Sequence, residues 1–436
     1  MARLTGDSRD AIAAGVGKQS SQMTYFDRLE TRSAQSRVNA HMKELRGLLA
    51  IARNKAPALR RQLKDVDVSA LKLPADIARV PVLRKSDLAA MQRENPPFGG
   101  LIATRPGMLR HCLVSPGPIF VPAGGGKDYW GGARALHAAG ARAGSVMLNC
   151  FSFHLTPGGH IMDCAARALG CVTVPAGIGN SEQVLEAVEH LRPDLYCGTP
   201  DYLKILLDKA REMGRDASSI KHALVSGAAL PPSLRDELQQ RGVTVRQCYA
   251  TADLGVVAYE TDMPDGRLNE GMVVNERVIL EIVVPGTGQL AAPGDIGEVV
   301  VTRLNADYPL LRFATGDLSA FLPGPSPCGR TNQRICGWLG RADQVTKIKG
   351  MFVHPMQVME IARRHPELSR LRLVVKRAQE QDVMTLHIEA GDAGVGLAEK
   401  VEHTLQALTK LRGRIEFAPP GSLPNDGKVI ADERLA

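Results

Sequence analysis

The stretch Gly340–Glu360, GRADQVTKIKGMFVHPMQVME, joins a charged turn, a short lysine-bearing strand and the start of a helix in one segment. Gly340-Arg341-Ala342-Asp343 reads as a turn, because glycine permits unusual backbone angles and an aspartate can hydrogen-bond the main chain just beyond it. Lys347 and Lys349 alternate with Ile348 at the period of a strand, and Gly350 ends it. Pro355, after His354, suits the first turn of a helix, where a missing N–H costs nothing.

At 436 residues the chain is too long for one compact core, so two or more lobes are expected. Residues 1–22 are small, polar and without period, and read as a flexible leader. Residues 23–342 then form a large N-terminal domain and 343–436 a small C-terminal one. An apolar fraction of 44% with 23% charged residues is that of a globular chain, and no apolar run is long enough to cross a bilayer. The opening MARLTGDSRD lacks the apolar core of a signal peptide, so a cytoplasmic location is expected. Eight cysteines are scattered without a CxxC pair, so neither a zinc nor a disulfide framework has support. The net charge of +8 is spread along the chain with no basic tract interleaved with aromatics, so no nucleic-acid partner is expected. Excess positive charge equally suits polyanionic small molecules.

Upstream of the junction, Tyr308 to Leu318 reads YPLLRFATGDL, and residues 270–305 carry β-branched runs separated by Gly/Pro turns, the pattern of a small antiparallel β-subdomain. Between Ile161 and Ser226 the pattern alternates: Ile161–Leu169, Ser181–Leu191 and Tyr202–Met213 as helices, Val172–Pro175, Leu195–Gly198 and Ala223–Ser226 as strands. Such alternation predicts βαβ units and a mainly parallel sheet covered by helices, the α/β class. Ligands of such sheets bind beyond the carboxyl ends of the strands. Ser226-Gly227-Ala228-Ala229 and Tyr249-Ala250-Thr251-Ala252-Asp253 both fall there. Local signals also allow Asp253 to cap a helix beginning at Leu254. Asp128 to Ala139 has helical character, and Ser145 to Leu148 reads as a buried strand. Phe151, Phe153, Gly158 and Gly159 combine rings with small residues, read equally as core or as the wall of an aromatic pocket. His154 either lines that pocket or is a buried imidazole. Ala123-Gly124-Gly125-Gly126-Lys127 is rich in main-chain donors but lacks the spacing of a GxxxxGK[ST] loop, and a surface turn is the favoured reading.

Downstream, a strand at Thr385–Glu389, a helix at Leu397–Leu411 and a strand at Arg414–Phe417 precede Gly421 to Ile430, GSLPNDGKVI.

These motifs resemble those of the AMP-forming adenylating enzymes, the acyl-CoA synthetase and luciferase superfamily, and VHPMQVME is most similar to the phenylacetate-CoA ligase branch. The YFD opening at Tyr25, the KxDL helix start at Lys85, the PFG at Pro97 and the CGRT at Cys328 match that branch too, so the likeness runs from about Tyr25 nearly to the C-terminus. The resemblance implies a large α/β lobe with a small β-subdomain and a small mobile α+β C-terminal lobe. It implies ATP, Mg²⁺ and coenzyme A, an aryl carboxylic acid as substrate and a possible homodimer. Residue by residue, it places Ser226, Gly227, Ala228, Ala229, Tyr249, Ala250, Thr251, Asp317 and Arg341 on the nucleotide and Asp253 on the metal. It assigns Phe151, Phe153, His154, Gly158 and Gly159 to the acyl pocket. Asp343 becomes the hinge, Lys428 the cation of adenylation and Lys347 that of thioester formation. The phosphate loop departs from the SSGTTGxP pattern: His111 to Phe120 reads HCLVSPGPIF, keeping only Ser115 and Gly117, and its two prolines remove N–H donors. An amine or carrier-protein thiol as acceptor, or a paralogue that binds nucleotide or aryl acid without turnover, are the alternatives.

Overall fold

The computed structural model describes residues 25–115, 118–348, 351–378, 381–390, 396–424 and 428–434, so the leader expected at 1–22 lies outside the described residues. Five parallel strands run in the order Val172–Val174, Val146–Asn149, Leu195–Gly198, His222–Val225 and Thr244–Thr251. Strand Leu195–Gly198 is buried throughout, as expected where helices cover both faces. The helices Pro157–Leu169, Ser181–Leu191 and Pro200–Glu212 form the connections. The alternating pattern is therefore borne out, with ends shifted by up to four residues.

The same sheet continues antiparallel through Gly255–Tyr259, Met272–Val274, Arg334–Ile335 and Phe321–Leu322, making nine strands. The antiparallel region of 270–305 is thus divided. Met272–Val274 joins the large sheet, while Val278–Val283 pairs with Gly297–Arg303, and that strand with Leu310–Ser319, in a four-stranded sheet with Leu83–Arg84 at the other edge. All six residues of Val278–Val283 are buried.

The helix read over 128–139 is confined to Ala133–Ala138. Asp128 Oδ1 accepts from the amides of Gly132 (3.0 Å) and Ala133 (3.3 Å), and Gly131 takes φ +69°, so the chain turns there before helical geometry begins.

Beyond residue 343 the chain builds its own hydrophobic core from Ile348 to Ile430. Strands Arg414–Ala418, Gln381–Glu389, Leu371–Ala378 and Ile430–Asp432 form one sheet, with helices Pro355–Arg364 and Leu397–Thr409 beside it. The opening stretch takes its expected form: a 3₁₀ turn at Ala342–Gln344, a strand at Thr346–Ile348 and a helix from Pro355. Gly340 passes beneath Pro355, where an added Cβ would meet the proline Cβ at 2.9 Å. No helix among the described residues is long and apolar enough to cross a membrane.

Candidate active site

The carboxyl ends of the parallel strands collect the residues marked in the sequence. Strand His222–Val225 ends at Ser226, whose hydroxyl donates to Cys248 O (2.8 Å) and ties the loop to the next strand. Gly227, Ala228 and Ala229 are exposed beyond that tie, a small-residue ledge that a planar base can approach closely. Phe151 reaches the same place: its ring is 3.8 Å from where a Gly227 Cβ would stand, and its Cβ is 3.4 Å from that of a substituted Gly158. Phe153 lies over Gly159, where an added Cβ would come within 2.8 Å of the ring, and packs edge-on against His160 at 5.2 Å. His154 is exposed, which corrects the buried-imidazole alternative; Leu155 and Thr156 beside it leave the ring no interior to enter.

A second cluster forms around one carboxylate. Asp317, on the strand Leu310–Ser319, accepts from Tyr249 OH (2.8 Å), Trp338 Nε1 (3.1 Å) and Arg341 Nη1 (3.3 Å). Arg341 also donates to Thr315 O and meets Asp343 Oδ1 at 3.3 Å. Burial, reinforced by the Asp317 charge, raises the Tyr249 phenol above its ordinary range, so it stays a donor. Strand Thr244–Thr251, the four-stranded sheet and the junction turn are thereby joined at Asp317.

Asp253 is fully buried, and Lys85 Nζ stands 2.9 Å from its Oδ2, an ion pair without hydrogen-bond geometry. No helix starts at Leu254, which corrects the capping alternative. The chain reverses directly into the buried β-branched strand Gly255–Tyr259, pairing Thr251 with Gly255. A metal at Asp253 can be judged on this donor set: the carboxylate has no exposure, its charge is matched by Lys85, and among the described residues no three His, Cys, Asp or Glu side chains gather into a metal site. It does not fit a directly coordinated Mg²⁺. Thr251 keeps its hydroxyl on the turn, accepting from Leu254 N (3.1 Å), and Ala250 lies next to it in the strand.

The altered phosphate loop is the hairpin His111–Ser115 with Ile119–Ala123; Gly117 lies outside the described residues. Ser115 is buried, its hydroxyl turned to Ile119 O (3.5 Å) within the hairpin. The side-chain amide of Gln92 bonds both N and O of Phe120 (2.7 and 2.8 Å), clamping the hairpin to the helix Leu88–Glu94.

Lys347 sits on the strand Thr346–Ile348, opposite Phe352. Lys428 is exposed and precedes the strand Ile430–Asp432; next to it, Val429 N donates to Gln344 Oε1 (2.9 Å), in the 3₁₀ turn that also holds Asp343. The two lysines thus belong to elements that meet at the junction turn.

The family model for AMP-binding enzyme matches residues 129–305, which hold the Phe151 wall, the Ser226 loop, Tyr249 and Asp253. Curated relatives include the phenylacetate-coenzyme A ligases of Aromatoleum evansii, 27% identical over 85% of this chain and 88% of the relative, and of Thermus thermophilus, 27% identical over 92% and 97%. The corresponding Escherichia coli enzyme is 27% identical over 90% of this chain and 91% of its own.

Residues 129–305 match the AMP-binding enzyme family, and the chain is similar to phenylacetate-coenzyme A ligases over most of its length.

Its fold agrees with that of 2-hydroxyisobutyryl-CoA ligase, solved in an open conformation with 2-HIB-AMP and CoA, at a TM-score of 0.78 and 24% identity over 96% of this chain and 97% of the other. Three residues around these clusters escaped reading from sequence. Lys85 was seen only as a helix start; Trp338, 45% exposed, carried no motif; Gln92 was given no role. An exposed tryptophan two residues before a Gly-Arg turn is the one signal that could have been found.

The ring contact at Gly159 yields a test. Gly159→Ala is expected to push Phe153 aside, at an overpacking cost of about 1–3 kcal/mol. Steady-state kinetics should show the KM for the acid changed while that for ATP holds. An unchanged acid KM would remove Phe153 from the pocket wall.

Proposed function

We propose that the chain activates an aryl, phenylacetate-like carboxylic acid with ATP and transfers it to coenzyme A. A carboxylate oxygen attacks the α-phosphorus and pyrophosphate leaves, giving acyl-AMP. The coenzyme A thiol then attacks the acyl carbon, loses its proton and displaces AMP. The observation that carries this reading is Asp317: a carboxylate held by Tyr249, Trp338 and Arg341 that keeps a lone pair to accept from a ribose hydroxyl. The kinship with phenylacetate-coenzyme A ligases over nearly the whole chain supports the acid class and the acceptor.

The residues take the following parts. Ser226 to Ala229 and Tyr249 border the base, with Ala250 and Thr251 toward the α-phosphate; Phe151, Phe153, Gly158 and Gly159 form the wall for the acid, with His154 at its rim. Arg341 orients Asp317 and ties it to Asp343. Residues 343–436 rotate about Asp343 as a small lobe, after the larger 23–342, so that one cleft is completed first by Lys428 and then by the Lys347 face. Lys428 offsets charge that accumulates as the carboxylate meets the α-phosphate. Any Mg²⁺ would have to arrive on the triphosphate, since magnesium is commonly held by substrate phosphates and its own waters. A cytoplasmic location and a homodimer complete the proposal, the latter checked by light scattering.

Mixing the protein with ATP, coenzyme A and a panel of aryl acids tests the reading: pyrophosphate and a thioester should appear together. The inward-turned Ser115 favours a second reading, in which nucleotide or aryl acid binds without turnover. Heat of ATP binding with no acid-dependent pyrophosphate would select it. Thioester-free pyrophosphate release would instead point to an amine or carrier-protein acceptor.

Asp317→Asn is expected to raise the KM for ATP roughly ten- to hundredfold, as the loss of charge-assisted bonds worth about 1.5–3 kcal/mol. The KM for the acid should stay within about threefold, since the Asp317 carboxylate contacts no acyl-wall residue. Equal changes in both would place Asp317 outside nucleotide recognition.

A further inference from the structure

The Gly-Gly-Gly-Lys loop is not absorbed by the adenylation site, and the structure gives it another setting. At the open end of the hairpin His111–Ala123, a cavity of about 160 Å³ is bordered by Arg110, His111, Lys127, His160, Arg167 and the main chain of Gly124–Gly126. At about 30 Å³ per water, that holds a phosphate group and an accompanying water or two. We infer that this cavity is a binding site for a phosphate dianion.

Charge balance supports the valence. Arg167 is offset by Asp163 at 3.0 Å, whereas Arg110 and Lys127 have no carboxylate partner among the described residues. Asp307 lies against Gly124 but is held by Thr104 Oγ1 and does not border the cavity. Two uncompensated cations match two negative charges. The imidazoles of His111 and His160 stand 4.6 Å apart, and burial together with His160, Arg110 and Arg167 holds His111 below its usual range. That positive field around one void is relieved by an anion.

The main chain adds donors. No atom lies within 4 Å of where a Gly125 Cβ would stand, so a ligand can touch the backbone, and the amides of Gly125 and Gly126 make no hydrogen bond to the protein among the described residues. Cys164, which also borders the cavity, directs its thiol toward the carbonyls of Gly126 and Lys127 (3.9 and 3.7 Å), engaging those acceptors. Guanidinium, ammonium and successive amides together suit a tetrahedral phosphate.

Such a phosphate could be the 3′-phosphate of coenzyme A or inorganic phosphate itself; the first source rests on the proposed ligase reading, the second does not. Calorimetric titrations of the full chain with inorganic phosphate, coenzyme A and dephospho-coenzyme A separate them. An Arg110→Ala/Lys127→Ala double variant should bind inorganic phosphate at least tenfold more weakly than the native chain, while Lys64→Ala, a surface charge elsewhere, should not. Both altered side chains are exposed, so folding is preserved. Coenzyme A binding more tightly than dephospho-coenzyme A, with the preference lost in the double variant, identifies the coenzyme. Equal binding of the two, with inorganic phosphate still dependent on Arg110 and Lys127, identifies free phosphate. Phosphate affinity unchanged in the double variant, or no phosphate binding to the native chain, overturns the site. Pyrophosphate exchange into ATP, run on the same samples, tests the ligase reading separately: a chain inert in exchange that still binds phosphate would sink that reading and leave this one standing.

Discussion

Lys428→Ala should abolish carboxylate-dependent exchange of labelled pyrophosphate into ATP, a loss of at least about a hundredfold, while Lys347→Ala retains it within about threefold. The size follows from removing one preorganised cation from a developing oxyanion, a change that typically costs 10²–10³ in rate. The asymmetry follows from the two half-reactions. Exchange reports formation and reversal of the acyl-adenylate alone, so a group that serves only the thiol step is invisible to it. Lys428 precedes the strand Ile430–Asp432 and adjoins the Val429 to Gln344 bond, whereas Lys347 is on the strand Thr346–Ile348, pairing with Phe352. A rotation about Asp343 would therefore exchange one lysine for the other at the cleft. Thioester formation from pre-made acyl-adenylate should show the converse pattern, with Lys347→Ala impaired and Lys428→Ala active. Equal losses from both substitutions in the exchange assay would contradict the division of labour.

Lys85→Met is expected to destabilise the chain by about 3 kcal/mol and to stop turnover. Removing one partner of a buried ion pair leaves the other charge without compensation, at a cost of about 3–5 kcal/mol; the lower end applies because Lys85 is 28% exposed while Asp253 is sealed. Neutralising the survivor isolates the energetic part. In Lys85→Met/Asp253→Asn the buried charge is gone, and chemical denaturation should show most of the lost stability restored. Activity should not return, because the ammonium beside the Thr251–Leu254 turn is still missing. Recovery of pyrophosphate exchange in the double variant would mean that Lys85 serves folding alone. Failure to recover stability would mean that the ion pair is not the source of the loss.

The parallel half of the large sheet was legible because its strands are short and apolar and its helices carry a face of the right period; both signals are local, and tertiary packing only moved their ends. The opening turn, strand and proline-led helix were legible for the same reason. The helix at 133 was overextended because Asp128 and Gly131 act through a turn that hydrophobic period does not register. The Asp253 reading turned on a contact 168 residues distant, since Lys85 reaches it from another part of the chain. Asp317 was identified by its motif, but its three donors come from residues 249, 338 and 341, and only folding sets them around one carboxylate.

What the amino-acid order determined by itself is most of the element inventory, because short apolar strands, helical period and turn chemistry are written over a few residues. What only the tertiary structure decided is charge pairing: that Asp253 answers to Lys85, that Arg341 and Trp338 close on Asp317, and that Arg110 and Lys127 share a cavity without a carboxylate. Coulomb energy depends on distance through space, and separation along the chain does not predict it.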